Sequence, residues 1–488
     1  MAPSPKRAEL AKALAATLPG ASVLADGESL KPYECDGLSA YRQSPLVAAI
    51  PASESEVAAV LAVARKTSTP VVARGSGTGL SGGALPHAEG ILLSLARFDK
   101  IVAIDALART ARVQPGVRNL RISESVAHLG LYYAPDPSSQ IACSIGGNVA
   151  ENAGGVHCLK YGLTVHNILK VRVMTIDSEV VDLGSDALDS PGYDLLALVT
   201  GSEGLLAITL EVTVKLLPKP QAAQVVMASF ANVEQAGEAV AGVIGAGIVP
   251  AGLEMMDRLA TSAVEGFVKA GYDLEAAAIL LAESDGTHEE VAEDTARMIE
   301  VMRANGCTRV TSSTSEAERL RYWSGRKAAF PAVGRISPDY YCIDGSIPRK
   351  ALGRVLTRTN EMSEKYKLRC ANVFHAGDGN LHPLILYDAN IEGELERTEA
   401  FAGELLELCI EVGGTITGEH GVGVEKINQM CTQFRPAELA QFHAVKAAFD
   451  PEGLLNPGKK VPTLHRCAEY GAMRVKGGQL PFPDLPRF

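Results

Sequence analysis

The chain has 488 residues, 47% of them hydrophobic, which is enough apolar material for the cores of two or three domains. Its formal net charge is -11 and it has no cluster of Lys and Arg, which argues against nucleic acid as the main partner. The nine cysteines form no C-x-x-C pair, which indicates reduced thiols in a cytosolic protein rather than a zinc-ribbon or iron–sulfur framework.

The N-terminal segment, residues 1–43, is predicted to begin with a short amphipathic helix that ends near Pro19. It does not resemble a secretory signal, because Lys12 and Pro19 leave too short an apolar run. The longest apolar stretch, residues 236–256, contains a glutamate, a proline and several glycines, so it does not predict a membrane span. We expect a cytoplasmic protein with at most peripheral contact with the cytoplasmic face of the inner membrane.

The first predicted domain covers residues 44–222 and is rich in glycine and in short runs typical of strands. Strands are predicted at residues 46–50, 70–73 and 90–94. Apolar residues at helical spacing predict a helix over residues 54–66. Strict alternation of apolar and polar residues over 208–216 predicts a half-buried strand, and the prolines at 218 and 220 then mark a domain boundary.

Two glycine-rich runs in this domain indicate a large ligand. The run ARGSGTGLSGGALP, residues 73–86, contains a G-x-G-x-x-G pattern, but no helix is predicted to begin on it, so it does not predict a dinucleotide fold. Its backbone N–H groups can instead form a nest for a phosphate, or the run can be a flexible surface loop. A second run, CSIGGNVAENAGG at residues 143–155, favours a ligand that lies along the backbone.

The second predicted domain, residues 223–440, alternates helical and strand patterns and is expected to be an α+β domain. Helices are predicted at residues 233–246 and 289–305, and strands at residues 276–281 and within 373–387. The remaining residues, 441–488, hold a turn-rich tail that we expect to pack back on the first domain.

The stretch HAGDGNLHP, residues 375–383, places two histidines on either side of two glycines. Gly and Asn tolerate the backbone of a tight turn, and the apolar flanks predict strands, so a hairpin can bring His375 and His382 together. The alternative is two unrelated histidines in a polar turn.

A carboxylate that could complete a metal site follows in GGTITGEHGVGVEK, residues 413–426. Two histidines and one glutamate are suitable ligands for a divalent ion, so the predicted ligands are His375, His382 and Glu419. The neighbouring His420 would point differently and could act as a base. A strand before this pair and a helix from Glu425 onward are predicted.

These motifs occur in an order that resembles a known flavoprotein family. The two glycine runs, TGSEG, HAGDGNLHP, GEHGVG and DPEGLLNPGK together resemble the family of vanillyl-alcohol oxidase and para-cresol methylhydroxylase, in its branch of FAD-linked 2-hydroxy-acid dehydrogenases. The resemblance covers nearly the whole chain. It implies an α+β fold, with a two-subdomain FAD-binding domain of the para-cresol methylhydroxylase type and an α+β cap domain for substrate and metal.

The resemblance also implies which residues contact FAD. The first loop is expected to bind the pyrophosphate, and the other residues to line the cofactor: Arg74, Gly75, Ser76, Gly77, Thr78, Gly79, Pro135, Asp136, Ser139, Ser144, Gly147, Asn148, Ala150, Asn152, Glu203, Gly204, Ile208 and Asn456. Some relatives attach FAD covalently through a histidine in the first loop. This chain has no histidine between residues 74 and 85, so non-covalent FAD is expected.

The expected reaction is oxidation of a small 2-hydroxy acid, glycolate to glyoxylate or D-lactate to pyruvate, by hydride transfer to flavin N5. The metal, Zn or another first-row transition metal, would bind the substrate, His420 would act as base and Arg326 would bind the substrate carboxylate. A surface salt bridge with a nearby glutamate is the alternative for Arg326, and aromatic core packing is the alternative for Tyr340 and Tyr341 as pocket residues.

Phe330 and Leu384 stand where relatives that oxidise longer diacids have polar side chains, so glycolate is favoured over D-2-hydroxyglutarate. Because the chain lacks iron–sulfur cysteines, the family implies partner subunits that carry clusters and a second flavin-type subunit, with quinone beyond them. Oxygen or a soluble acceptor is the alternative. Two other classes remain open, a metal-dependent hydrolase and a flavin-binding structural subunit.

Overall fold

The computed structural model describes residues 5–19, 22–187 and 192–462. The last part of the predicted tail, from residue 463 on, lies outside the described residues.

The described chain alternates helices and strands throughout. The α-helices are α1 (Pro5–Ala15), α2 (Gly27–Leu30), α3 (Glu54–Thr67), α4 (Asn119–Val126), α5 (Ile145–Glu151), α6 (Cys158–Tyr161), α7 (Leu195–Val199), α8 (Val233–Gly245), α9 (Arg258–Val268), α10 (His288–Ala304), α11 (Glu316–Lys327), α12 (Ala329–Val333), α13 (Leu352–Tyr366), α14 (Glu394–Glu411), α15 (Met430–Gln433) and α16 (Pro436–Phe449). The strands are β1 (Val23–Leu24), β2 (Val47–Ala49), β3 (Val71–Arg74), β4 (Ile91–Ser94), β5 (Ile101–Asp105), β6 (Thr110–Val113), β7 (Leu131–Tyr132), β8 (Ile168–Met174), β9 (Val180–Gly184), β10 (Ile208–Lys215), β11 (Leu217–Pro218), β12 (Ala222–Phe230), β13 (Gly252–Asp257), β14 (Ala278–Gly286), β15 (Arg309–Ser312), β16 (Asp339–Cys342), β17 (Arg369–Phe374) and β18 (Pro383–Tyr387).

These elements belong to two compact units. The first contains the described residues of Met1–Ala153, Leu163–Pro218 and His420–Phe488, and the second contains Gly154–Gly162 and Lys219–Glu419.

The first unit contains a four-stranded sheet in the order β1-β2-β4-β3. Strands β2 and β3 both run parallel to β4, and apolar residues of α1 and α3 complete the core that this sheet builds. The predicted strands in this region and the predicted helix over residues 54–66 are confirmed. No helix lies in the loop between β3 and β4, as expected for a glycine-rich run that is not a dinucleotide motif.

A second sheet of the same unit is antiparallel, in the order β5-β6-β10-β8-β9. The central strand, β10, buries Ile208, Leu210, Val212 and Val214, which confirms the strand predicted from alternation. Two sheets with separate apolar clusters give the two-subdomain α+β arrangement that the resemblance implies. At the far end of the chain, Leu454 and Asn456 exchange backbone hydrogen bonds with Val71 of β3.

The second unit contains a seven-stranded antiparallel sheet in the order β15-β12-β14-β13-β17-β18-β16. The predicted helices at residues 233–246 and 289–305 are confirmed as α8 and α10. Helix α10 begins with a capping box, in which Thr287 and Glu290 bind each other's backbone N–H groups.

The predicted hairpin is confirmed, since β17 and β18 pair antiparallel from Arg369 opposite Leu386 to Asn372 opposite Pro383. The register continues into an isolated bridge between His375 and Asn380. Strand β13 lies on the other side of β17, with Met255 opposite Phe374. One step further along this register, Glu254 lies opposite His375.

Two expectations from the sequence need correction. Residues 413–426 contain no regular strand or helix, and only an isolated bridge joins Thr415 to Ser346, so the strand predicted before Glu419 and the helix predicted from Glu425 are both wrong. Gly421 and Gly423 have φ angles of +81° and +53°, a backbone that no helix adopts.

Cys35, Cys143, Cys158, Cys307, Cys342, Cys370 and Cys409 are free thiols. Among the described residues, no helix combines the length and the apolar character that crossing a bilayer requires.

The hairpin turn depends on the missing side chain of Gly379. Its φ is +84°, and a Cβ there would lie 2.1 Å from the Ile347 carbonyl oxygen. Gly271 has a similar φ of +88° but open space around it, so it is a matched control. We expect Gly271→Ala to cost roughly 1–2 kcal/mol of unfolding free energy from backbone strain alone, and Gly379→Ala to cost about 1–3 kcal/mol more. Equal shifts in the thermal unfolding of the two variants would contradict this prediction.

Candidate functional site

The predicted metal ligands meet at one point of the second unit. The His382 Nε2 lies 2.9 Å from the Glu419 Oε1, and the His375 Nε2 lies 3.4 Å from the same oxygen. The two imidazole rings stand edge to face with their centroids 4.9 Å apart. One ligand atom from each of the three residues lies within 4.8 Å of the other two. The hairpin therefore brings its histidines together, which rules out two unrelated histidines in a turn.

The other nitrogen of each ring is held by a separate acceptor. The His375 Nδ1 lies 2.8 Å from the Glu254 Oε1, and the His382 Nδ1 lies 3.2 Å from the Ile343 carbonyl oxygen. When Nδ1 donates to these acceptors, the Nε2 of each ring, which faces Glu419, is the nitrogen that a cation can bind in place of a proton. Metal-binding histidines commonly have this pattern of outer contacts, so the donor set fits a divalent cation.

Glu419 is positioned by a second buried carboxylate. The Asp344 side chain accepts hydrogen bonds from the backbone N–H groups of Gly418 and Glu419 and from the Thr417 hydroxyl. Gly418 lacks a Cβ that would lie 2.4 Å from the Asn380 amide, which allows this segment to approach the hairpin closely.

The electrostatics of the cluster follow from burial and mutual pairing. Burial alone would lower the pKa of His382, but hydrogen bonds with Cys342 and Glu419 raise it to about 10. Burial would raise the pKa of Glu419, but the two imidazoles hold it well below its ordinary value. A divalent cation binds the same nitrogen lone pairs as these protons, so it competes with them.

Arg326 lies inside the second unit, on α11, and only 2% of it is exposed. Its Nε is 2.7 Å from the Glu254 Oε2, so the salt bridge considered as its alternative exists but is buried. Its Nη2 is also buried and has no hydrogen-bond partner among the described residues. Because a buried guanidinium nitrogen without an acceptor is costly, this atom is suited to an anionic group of a ligand.

A second buried polar atom without a described partner is the Asn380 Oδ1. Asn380 bridges to His375, so the two side chains lie on the same face of the hairpin. The unit therefore offers one donor and one acceptor beside the three predicted ligands.

Sequence reasoning missed Glu254, Asp344, Cys342 and Asn380. Only Glu254 left a signal, because it is a charged residue among the otherwise uncharged, buried residues 252–256 of β13. Of the predicted pocket residues, Phe330 and Tyr340 contact edge to face at a centroid distance of 5.8 Å, and Leu384 and Tyr341 are buried. His420 follows Glu419 directly and is the first residue of the last segment of the first unit.

The predicted FAD residues lie in the first unit, where the two glycine runs meet. A Cβ on Gly75 would lie 2.0 Å from the Ser144 Oγ, which is buried and has no hydrogen-bond partner among the described residues. A Cβ on Gly77 would overlap the Arg74 guanidinium, whose Nη1 donates to the Cys35 carbonyl oxygen at 2.7 Å. Close backbone approach and an unsatisfied hydroxyl fit a phosphate-containing cofactor.

Several predicted FAD residues order the segments around these runs. Asn119 donates to the Pro135 carbonyl oxygen and to the Asn148 side chain, each at 3.1 Å. The Glu203 carboxylate accepts from the backbone of Val422 and Gly423, each at 2.7 Å.

The other residues predicted to contact FAD lie in several segments of the first unit. Asn456 donates to the carbonyl oxygens of Gly83 and Glu203. The Asn152 Oδ1 accepts from the Val165 backbone. Gly204 has a φ of +71°. The others lie in the loop after β3 (Ser76, Thr78, Gly79), in the segment after β7 (Asp136, Ser139), in α5 (Gly147, Ala150) and at the start of β10 (Ile208).

Two family models match successive parts of the chain. The family model described as FAD binding domain matches residues 45–184, and the one described as FAD linked oxidases, C-terminal domain, matches residues 219–460. Among solved structures, p-cresol methylhydroxylase with substrate bound superimposes with a TM-score of 0.78 at 17% identity, over 94% of this chain and 98% of that chain. The fold is that of the para-cresol methylhydroxylase type of flavoprotein, as the motifs predicted.

Sequence relatives narrow the class. The glycolate oxidase subunit GlcD of Escherichia coli K12 is 62% identical over 100% of this chain and 97% of its own length. A D-lactate dehydrogenase of Anaerostipes hadrus is 32% identical over 90% of this chain and 94% of its own length. The chain therefore belongs to the family of FAD-linked oxidases that includes the GlcD subunits. It is an FAD-linked oxidoreductase, which excludes a metal-dependent hydrolase.

The contact between the two glycine runs leads to a prediction about FAD. In Gly75→Ala the new methyl group would overlap the Ser144 hydroxyl, so we expect the purified protein to hold at least about tenfold less FAD, as for other overpacked contacts. Gly245→Ala adds a methyl group in open space and should retain FAD. The ratio of flavin absorbance to protein absorbance measures the FAD content of each variant. Equal ratios in Gly75→Ala and Gly245→Ala would contradict the prediction.

The cluster of His375, His382 and Glu419 leads to a prediction about metal content. We expect His382→Ala to lower the bound divalent metal to a small fraction of the wild-type content, because one of three protein ligands is lost. Elemental analysis of the purified protein measures this, with FAD absorbance unchanged. His443→Ala, which removes a histidine from α16, is the control and should keep the metal. A wild-type protein that binds no divalent metal would contradict the assignment.

Proposed function

We propose that this chain oxidises a small 2-hydroxy acid, glycolate to glyoxylate, with bound FAD as the immediate electron acceptor. The observation that supports this most directly is the cluster of Arg326, His375, His382 and Glu419 inside one unit of an FAD-linked oxidoreductase. FAD supplies a two-electron acceptor that takes a hydride from carbon.

The carboxylate of a 2-hydroxy acid matches a group that the described residues leave unpaired, because it can accept a hydrogen bond from the Arg326 Nη2. The Glu254 carboxylate holds the guanidinium of Arg326 in one plane, so the bound acid has one orientation.

His375, His382 and Glu419 would hold one divalent metal ion, Zn or another first-row transition metal. Such an ion would lower the pKa of a coordinated hydroxyl group. His420 would take the hydroxyl proton as general base, and Arg326 would bind the carboxylate. These roles are consistent with the donor set and with the buried, partly unpaired guanidinium.

The substrate is small because apolar side chains stand at Phe330 and Leu384. A longer diacid would bring a second carboxylate next to apolar side chains, which is costly without a partner. D-lactate is the second candidate, and the identity with a D-lactate dehydrogenase supports it. D-2-hydroxyglutarate is disfavoured.

FAD is held without a covalent bond, since residues 74–85 contain no histidine. Residues 44–222 form its binding domain, residues 223–440 the substrate and metal domain, and residues 441–488 a C-terminal segment on the FAD domain, with residues 1–43 as an N-terminal segment. The residues that line FAD are those named above from the family resemblance.

The chain acts as one subunit of a glycolate oxidase complex. The relative that is 62% identical is named as a subunit, which supports a complex with other proteins. The partners that the family resemblance implies are an iron–sulfur subunit and a second flavin-type subunit, and this chain itself has no C-x-x-C pair. Electrons then pass to quinone from a cytoplasmic or peripherally bound complex.

The reaction leads to a prediction that can be read from the flavin colour. Under anaerobic conditions, glycolate should bleach the flavin absorbance of the purified protein, because the substrate reduces FAD without any partner. His420→Ala should retain FAD but lose at least about a hundredfold in bleaching rate, as for removal of a general base.

Three outcomes would contradict the proposal. If no 2-hydroxy acid bleaches the flavin, the chain is a structural flavin subunit. If D-2-hydroxyglutarate reacts faster than glycolate, the assigned substrate is wrong. If His420→Ala bleaches at the wild-type rate, another residue is the base.

A further inference from the structure

One carboxylate in the second unit touches both halves of the proposed substrate site. Glu254 lies on β13 and is 1% exposed. Its Oε1 lies 2.8 Å from the His375 Nδ1, and its Oε2 lies 2.7 Å from the Arg326 Nε. The two oxygens of one side chain therefore bind a proposed metal ligand and the proposed carboxylate-binding residue.

We infer that Glu254 is a positioning residue that determines the affinity of the site for the divalent cation and for the substrate carboxylate together. This inference rests on the proposed function, because it assigns Glu254 a role through His375 and Arg326.

The contact between Glu254 and His375 determines the orientation in which that ring can bind a cation. With Nδ1 donating to Glu254, the ring has one orientation, and its Nε2 faces Glu419 as the nitrogen that a cation can bind. Without this acceptor the ring can rotate or carry its single proton on Nε2 instead of Nδ1. Loss of such an outer carboxylate typically weakens metal binding about 10–100-fold.

The contact between Glu254 and Arg326 determines the orientation in which the guanidinium can bind an anion. The Nε–H bond to Glu254 fixes the guanidinium plane and leaves the buried Nη2 without a described partner. The carboxylate also balances a cation that is almost fully buried, and an unbalanced charge there is strongly unfavourable. Loss of the Glu254 charge would therefore disturb both the orientation and the charge state of the site.

The same unit supplies a matched control. Glu283, on the neighbouring strand β14, is 2% exposed and also binds an arginine and a histidine. Its Oε2 lies 2.7 Å from the Arg319 Nη1, and its Oε1 lies 3.4 Å from the His157 Nε2. None of these three residues belongs to the predicted ligand set. The two glutamates therefore make the same kinds of contact, but only Glu254 lies at the proposed substrate site.

The test compares FAD-loaded wild-type protein, Glu254→Gln and Glu283→Gln. Glutamine keeps the size of the side chain, but its NH2 group faces one of the two donors, so one contact is lost. Zn²⁺ affinity after chelator treatment is measured by calorimetry, and KM and kcat for glycolate are measured separately. Thermal unfolding reports damage to the fold.

We expect Glu254→Gln to bind Zn²⁺ about 10–100-fold more weakly and to raise KM for glycolate by about tenfold or more, as for a lost hydrogen bond to a charged group. Glu283→Gln should change Zn²⁺ affinity and KM by less than about twofold, although it lowers the unfolding temperature, because its carboxylate is paired in the same way.

A Glu254→Gln variant with wild-type Zn²⁺ affinity and KM overturns the inference and leaves the proposed function standing. Equal losses in both glutamine variants also overturn it, since they would show a structural effect. Wild-type protein that binds no Zn²⁺ and is not reduced by glycolate overturns the proposed function, and the inference with it.

If Glu254→Gln does not fold, Glu254→Asp replaces it in the test. Aspartate keeps the charge next to Arg326 but is one methylene shorter, so it reaches only one of the two partners. It is expected to fold and to weaken either Zn²⁺ or glycolate binding, and a variant that keeps both affinities overturns the inference.

Discussion

The antiparallel register of three neighbouring strands is the constraint on which the predicted substrate site depends. Pairing of β13 with β17 places Glu254 opposite His375, and pairing of β17 with β18 places His375 opposite Asn380. A shift by one residue would turn each of these side chains to the other face of the sheet. The strands prevent that shift because they are buried on both faces, so the core of the unit holds the polar side chains in place.

Buried charges of alternating sign follow from this register. Arg326, Glu254, His375, Glu419 and His382 form a continuous series in which each group touches the next. In a buried environment each member needs its neighbours, since a single unpaired charge is strongly unfavourable. At one end of the series the Arg326 Nη2 has no hydrogen-bond partner among the described residues, so this atom is suited to an anionic group of a ligand. The stability of the unit and its chemistry therefore depend on the same contacts.

The first unit binds a long cofactor, and it does so without a dinucleotide fold. Its two glycine runs approach closely enough that a Cβ on Gly75 would overlap Ser144, and Glu203 ties a third glycine segment to the same unit through backbone N–H groups. The proposed metal ligands and Arg326 lie in the second unit, whereas the predicted FAD residues lie in the first.

The sequence by itself determined the features that arise from neighbours along the chain. The strand over residues 208–216, the helix over residues 54–66 and the histidine hairpin are local patterns of burial and turn chemistry, and the motifs together determined the family. Only the tertiary structure decided the partners of these elements. Glu254 meets His375 across 121 residues of chain, and no local pattern records that pairing. The helix expected from Glu425 failed because the preceding glycines adopt positive φ angles while Val422 and Gly423 bind a carboxylate 219 and 220 residues away.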